Sequence, residues 1–528
     1  MRNTIQDTAS LAPPSRPPHK IVVLDDDPTG SQTVHSCPLL LRWDHDALLE
    51  GLRHPSPLLF LLANTRALDP EAARLRVGEI CKALAPALRE AEQRGWIRGW
   101  QLVSRGDSTL RGHYPLEVDV LAAELGPFDA TLLAPAFLEG GRSTREAVHL
   151  LHGRPVHESA FARDGLFGYR HSDLRAWVEE KSGGRIEAAS VGHLSLQDLE
   201  GSPEALRSRL AGFSGNATVA VDAERPGHLE ALAVALREVS FPGSAPGRPV
   251  AQSSNAPQTQ PSPLRPAGAP WAPQPAPPHP EALPCPADEP HERQLQQPPS
   301  EPQPRPRRFL IQSAAGLVGA LAALPPQPLD AAGLAGLRRR DGLGRSLPGL
   351  VIVGSHVPLA DQQLERLLAD RGCSGLELPV DRLQRVLEGP LPDRLLASLE
   401  ADWRARLEAV LAAGLTPVLF TSRGERQCRH AGERRALGLA LAGLMARLAS
   451  ALAPRLGYLI SKGGITTHTL LAEGLGLASV QLQGQLLPGL SLVLAGPDAL
   501  PVLTFPGNLG DAGTLYAAWR RMEDGDSA

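Results

Sequence analysis

The 528-residue chain is nearly without lysine: only Lys20, Lys82, Lys181 and Lys462 occur, and arginine carries the remaining positive charge. Cysteine is also scarce. Cys37, Cys81, Cys285, Cys373 and Cys428 are widely spaced. They offer no zinc-type pair and no disulfide framework, so a reducing, cytoplasmic setting fits. The net charge of -4 leaves no basic footprint, and nucleic acid is not expected as a partner. Met1 to Lys20 is polar and carries four prolines, with no apolar core of a secretion signal. The longest apolar helix candidate, near Ala436 to Ala453, is interrupted by Arg447 and reads as a core helix, so no membrane partner is expected. Neither the nucleotide P-loop nor the dinucleotide glycine pattern occurs. His35, His113, His149, His152 and His157 lack metal-binding helix spacing and read as structural, so no protein metal site is expected.

What is present starts with Ile21-Val22-Val23-Leu24-Asp25-Asp26-Asp27-Pro28-Thr29-Gly30. An apolar run reads as a buried parallel strand, and Pro28 and Gly30 turn the chain directly after three carboxylates. In open α/β sheets, ligands bind beyond the carboxyl ends of the strands. The same grammar recurs. Pro57 to Ala63 ends in Asn64-Thr65-Arg66, Trp100 to Val103 in Ser104 to His113, and Ala130 to Ala134 in Pro135 to Thr144. A helix is expected from Glu71 to Arg94. The alternation predicts an α/β fold with parallel sheets.

Pro242 to Pro306 holds 21 of the 51 prolines and reads as a disordered linker. It divides the chain into an N-terminal domain, residues 19–241, a linker, 242–308, and a C-terminal domain, 309–525. Each domain is expected to carry its own mainly parallel sheet. In the C-terminal half, Leu350 to Val353, Pro417 to Phe420, Tyr458 to Ile460 and Val502 to Phe505 are strands. They end in loops of glycine with serine, threonine or asparagine. Such loops offer backbone N–H groups and hydroxyls to phosphate.

The loop Arg105 to Arg111 alternates charge and hydroxyl. Arginine clamps carboxylates bidentately, Asp107 can take a proton from a substrate hydroxyl, and Ser108 and Thr109 can orient hydroxyls. With Asp26, Asp27 and Arg66 at neighbouring strand ends, the set suits a small polyhydroxylated acid. The spacing around Asp107 predicts that its carboxylate lies between the guanidiniums of Arg105 and Arg111. Glu139-Gly140-Gly141-Arg142 reads either as another clamp or as a turn with an exposed arginine.

These motifs resemble, in order, those of the four-carbon acid sugar kinases. In the N-terminal half they are Asp26 to Gly30, Asn64-Thr65-Arg66, Asp107 to Gly112, and Pro135-Ala136-Phe137 with Gly141-Arg142. In the C-terminal half they are Gly354-Ser355, Lys462 to Thr466, Gly484-Gln485 with Pro488-Gly489, and Phe505 to Asn508. The resemblance implies an ATP-dependent kinase, with Mg²⁺ bridging phosphates, acting on threonate, erythronate or a 3-oxo-tetronate type of acid. It implies a sugar-acid-binding N-terminal domain and a nucleotide-binding C-terminal domain. Asp26, Asp27, Arg66, Arg105, Asp107, Ser108 and Arg111 would carry the substrate, with Asp107 and Asp26 the candidate bases. Ser355, Gly463, Gly464, Ile465, Thr466 and Gly507 would carry the nucleotide. A homodimer is compatible with this reading. Bulky replacement of Gly463 or Gly464 is expected to weaken ATP binding while sparing the sugar-acid domain. Two rivals are a haloacid-dehalogenase-like phosphatase, with Asp25 as nucleophile and Asp27 as acid, and a sugar-acid sensor without turnover.

Overall fold

The computed structural model describes residues 19–242 other than Gln32, 305–424 and 431–524. Residues 243–304, most of the expected linker, lie outside these described residues. The strands in chain order are β1 (Lys20–Asp25), β2 (Cys37–Leu40), β3 (Leu58–Leu62), β4 (Trp100–Arg105), β5 (Ala130–Ala134), β6 (Arg142–Arg145), β7 (Val148–Leu151), β8 (Arg154–Pro155) and β9 (Gly192–Leu194). They continue as β10 (Ala217–Val221), β11 (Phe309–Ser313), β12 (Gly349–Val353), β13 (Cys373–Leu378), β14 (Thr416–Thr421), β15 (Tyr458–Lys462), β16 (Ser479–Leu487), β17 (Leu490–Ala495) and β18 (Leu500–Phe505).

The fold is α/β, as the alternating pattern predicts, but the two expected sheets are joined into one. Among the described residues, 15 strands run in the order β13-β14-β12-β15-β18-β17-β16-β2-β3-β1-β4-β11-β5-β10-β9. All neighbours are parallel except β2–β16, β16–β17 and β17–β18. The join is β2 against β16, with Leu39 opposite Val480 and Cys37 opposite Leu482. Strands β6, β7 and β8 form a separate small antiparallel sheet.

The apolar runs are buried on both faces, as strands covered by helices must be. In β3, Leu58, Phe60 and Leu62 pack into one core, while Leu59 and Leu61 pack into another. The first core continues into the C-terminal half through Leu350, Ile352, Leu459 and Val502. The long helix Pro70–Gln93 begins with Asp69 as its N-cap, accepting from Ala72 N, and with Pro70 in its first turn. It buries Val77, Ile80 and Leu84 against β1 and β3. The stretch Ala436–Arg455 is long and apolar enough to cross a membrane. Leu441, Leu444, Met445, Leu448 and Leu452 on it nevertheless pack into the shared core, as expected of a core helix.

The boundary expected at residue 309 does not divide the sheet. Strand β11, which follows the proline-rich stretch, lies between β4 and β5 in the N-terminal half. A linker separates segments of chain, but sheet membership follows hydrogen-bonding partners, and here the chain returns to fill a central place. Phe309, Leu310 and Ile311 are all essentially inaccessible. At about 2 kcal/mol for each large buried side chain, they contribute roughly 6 kcal/mol, comparable to a domain's whole net stability. A fragment of residues 19–241 is therefore expected to show no cooperative urea transition, because β4 and β5 lose the strand between them. A native-like far-UV circular dichroism spectrum with a sharp transition in that fragment would contradict this placement of β11.

Candidate functional site

Three adjacent N-terminal strands, β3, β1 and β4, deliver the acids and arginines at their carboxyl ends. Arg66 joins them. Its Nε donates to Asp26 Oδ2 at 2.9 Å and its Nη2 to Asp26 Oδ1 at 2.5 Å. Its Nη1 lies 3.4 Å from Asp27 Oδ2 and 3.9 Å from Asp107 Oδ1. Burial works against the guanidinium charge, but Asp26, Asp27 and Asp107 together hold the Arg66 pKa well above its ordinary value. Asp27 accepts from the Thr29 backbone at 2.8 Å and from the Thr29 hydroxyl. Burial opposes ionisation of Asp27, yet Arg66 and these bonds bring its pKa below the usual carboxylate range.

Asp107 lies between two guanidiniums, but one of them differs from the sequence expectation. Arg111 Nε donates to its Oδ2 at 2.7 Å, Thr109 donates to the same oxygen, and Arg66 faces Oδ1. Arg105 instead turns to Asp25 and Asp26, with Nη1 at 3.4 and 3.3 Å. The register explains this, since Arg105 pairs with Asp25 across β4 and β1. Burial penalises the charge on Asp107, but Arg111 and Arg66 hold its carboxyl far below the usual range. Ser108 is fixed through its backbone, whose carbonyl accepts from buried His149 Nε2 at 2.8 Å. His149 is structural, as its spacing implied.

Asp25 is fully buried, and one of its oxygens has no partner. Gly30 packs so closely that a Cβ there would sit 2.0 Å from Asp25 Oδ1. Burial, offset in part by Arg105, pushes its pKa up to about 7. The phosphatase reading fails on this point, because the nucleophile it requires is sealed behind the loop.

The expected nucleotide residues gather at the ends of β12, β15 and β18, which are also adjacent. Gly463 N donates to Phe505 O at 2.9 Å and Gly354 N to Lys462 O at 3.0 Å. Gly463 has φ 119°, a conformation that favours glycine. A Cβ on Gly354 would meet Thr466 Oγ1 at 2.0 Å, and one on Gly507 would meet Ser355 Oγ at 2.7 Å. Ser355, Gly463, Thr466 and Gly507 therefore line one close-packed turn region, while Ile465 is exposed. Lys462 does not point at this surface. It is wholly buried, its Nζ donates to Pro506 O at 2.9 Å and Gly507 O at 3.2 Å, and it lies 3.9 Å from the Phe505 ring centre. It fastens the β18 loop to the β15 loop.

The two groups meet at Gly464. A Cβ there would lie 2.8 Å from Asp27 Oδ2, so the acidic loop packs directly on the glycine loop. Around this contact runs a cleft of about 270 Å³. Asp27, Arg66, Arg105, Asp107, Ser108, Arg111 and Arg142 line one side, and Gly464, Pro506, Gly507 and Asn508 the other. The close contact revises the expectation for Gly464: a side chain there disturbs the acid loop as well as the glycine loop. Asp26 is not on the cleft wall; it is buried behind Arg66. Among the described residues, no cluster of three or more His, Cys, Asp or Glu is arranged to hold a metal ion.

Comparison with known proteins agrees with this division. A family described as the sugar-binding N-terminal domain matches residues 21–247, and one described as the nucleotide-binding C-terminal domain matches residues 350–515. The chain belongs to the four-carbon acid sugar kinase family. A D-erythronate kinase of Heliobacterium modesticaldum is 27% identical over 227 residues, covering 40% of this chain and 47% of that relative. The match thus spans about half the length of the curated relative. Two solved structures share the fold. One, from Salmonella typhimurium LT2 and described as a putative tRNA synthase, is 18% identical, with TM-score 0.59 and coverage of 95% of this chain and 98% of that one. The other, Haemophilus influenzae protein HI1011, is 15% identical, with TM-score 0.51 and coverage of 94% and 99%.

The residue that no family motif flagged is Glu117, on the helix Leu116–Leu125. It is buried, and its Oε1 accepts from the Thr65 hydroxyl, directly beside Arg66. Burial, then the nearby Asp26 charge, pushes its pKa up to about 7 from an ordinary 4.5. Between those two values the folded chain holds more protons at this site than the unfolded chain. Glu117 therefore makes stability fall as pH rises through that window, with the loss complete above about pH 7. Glu117→Gln mimics the protonated acid and removes the dependence. Measured by urea denaturation, the stability of Glu117→Gln relative to the wild type should rise between pH 5 and pH 8, by on the order of 2 kcal/mol. A difference that stays constant across this range would show that Glu117 does not titrate there.

Proposed function

We propose that the protein is an ATP-dependent kinase that phosphorylates a hydroxyl of a four-carbon sugar acid of the erythronate, threonate or 3-oxo-tetronate kind. One observation carries the reading: carboxylate and guanidinium groups from one half and glycine turns from the other line the same cleft, across the contact of Asp27 with Gly464. The curated relative named D-erythronate kinase supports the sugar-acid class.

Phosphoryl transfer asks chiefly for positioning and charge neutralisation. The turns at Gly354 and Gly507, where a Cβ would collide with Thr466 or Ser355, and at Gly463, whose φ of 119° favours glycine, suit close approach of a polyphosphate to the loops. Bound Mg²⁺-ATP supplies the phosphoryl group and neutralises part of its charge. With no multi-acid cluster among the described residues, Mg²⁺ would be held largely by phosphates and water, with Asp27 the acid at the seam. Of the two candidate bases, Asp107 fits better. Its Oδ2 is occupied by Arg111 and Thr109, whereas Oδ1 has Arg66 no nearer than 3.9 Å, and the residue lines the cleft. Both oxygens of Asp26 are taken by Arg66, which makes Asp26 a positioning residue. Asp107 is a weak base, and a weak base suffices when the proton leaves late in a loose transition state.

A coupled ADP-release assay over erythronate, threonate and their 3-oxo forms tests the reading. The wild type should turn over at least one of them. Asp107→Asn should lower kcat by on the order of 10²-fold or more, with the dissociation constant for the sugar acid changed far less. Tight binding without ADP release in the wild type would favour the sensor reading. Near-normal turnover in Asp107→Asn would remove it as the base.

A further inference from the structure

A four-carbon sugar acid brings a carboxylate into the cleft, and the arginines first expected to clamp it are already engaged. Arg66 forks onto Asp26 and faces Asp27 and Asp107. Arg105 is held by Asp25 and Asp26, and Arg111 by Asp107 with Asp164 at 3.9 Å. Three guanidiniums thus face five acids, Asp25, Asp26, Asp27, Asp107 and Asp164, and have little charge left to offer.

Arg142 differs. It lines the same cleft, yet no Asp or Glu lies within ion-pair distance of it among the described residues. Its Nη1 donates to Gly140 O at 2.5 Å, and its buried Nε has no partner at all. The local chain is shaped to hold it there. Arg142 N and O both bond to Phe137, at 2.9 Å each. A Cβ on Gly140 would collide with the Arg142 guanidinium at 2.2 Å, and Gly141, at φ 72°, would press a Cβ on His152 at 2.3 Å. Gly140 therefore clears the path of the guanidinium, and Gly141 allows the turn that leads into Arg142 against His152. An unpaired, half-buried guanidinium with an orphan N–H edge needs a planar anion.

We propose that Arg142 is the residue that takes the substrate carboxylate, binding it through its unpartnered edge and so selecting acids over neutral polyols. The assignment rests on the sugar-acid kinase reading. It leaves Arg66 and Arg111 to hold the acids that meet the hydroxyls.

The test uses the full-length protein and three variants of one measurement: isothermal titration of wild type, Arg142→Gln and Arg142→Lys with erythronate and threonate, with erythritol as the polyol lacking the carboxylate. Binding of ATP is followed on the same samples. In Arg142→Gln, affinity for the bound acid should fall about 10- to 100-fold, the range for losing a charge-assisted contact. Affinity for ATP should stay unchanged, and the preference for acid over erythritol should collapse. Arg142→Lys should recover part of that preference. A merely structural role would weaken acid and polyol alike, and that result would overturn the assignment. Undiminished acid affinity in Arg142→Gln would also overturn it while leaving the kinase reading intact. A wild type that binds none of the acids would overturn both.

Discussion

Burying several carboxylates at one edge of a sheet is the constraint on which the N-terminal half depends. Asp25, Asp26, Asp27, Asp107 and Glu117 are packed within reach of a few arginines. Isolated buried charges are strongly unfavourable, so each must be paired or protonated. The structure uses both solutions. Arg66, Arg105 and Arg111 accompany Asp26, Asp27 and Asp107, whereas Asp25 and Glu117 are pushed towards their neutral forms. Arg66 is the shared element, since it spans three of the acids. The arrangement holds Asp107 ionised despite its burial, which is what a base near neutral pH requires.

The second constraint is the seam between the halves. A single continuous sheet joins them through β2 and β16, and the acid loop and the glycine loop touch at Asp27 and Gly464. The buried Lys462 ammonium contributes from behind by tying Pro506 and Gly507 to the end of β15. Burial pushes its pKa down to about 7, so a scarce lysine is spent on shaping a loop and not on meeting phosphate.

The strands were readable because parallel strands covered on both faces are continuous apolar runs. Leu58–Leu62 and Ala130–Ala134 match their sequence readings to within a residue. The expected boundary at 309 places residues 309–313 in the C-terminal domain by proximity alone, whereas pairing with β4 and β5 puts them, as β11, in the N-terminal half. The acid and glycine loops were also readable, as polar residues concentrated at strand ends. Which arginine meets which acid was not, because it depends on register: Arg105 sits opposite Asp25 and so cannot flank Asp107. Glu117 was invisible because it lies on a helix outside every motif, and only the tertiary contact with Thr65 gives it meaning. Arg142 is ambiguous for a related reason, since what sets it apart, the lack of an acid partner among the described residues, is a tertiary feature.

The central claim is that the acid loop and the glycine loop form one site, in contact at Asp27 and Gly464. The most direct measurement is a pair of binding isotherms for Gly464→Ala, one with ATP and one with the sugar acid that the wild type uses. A methyl group there would lie 2.8 Å from Asp27 Oδ2 and must displace the carboxylate. The account predicts that both affinities fall, each by on the order of tenfold, as overpacking at a close contact does. Weakened ATP binding with an unchanged sugar-acid isotherm would contradict it, because the two loops would then be serving separate sites.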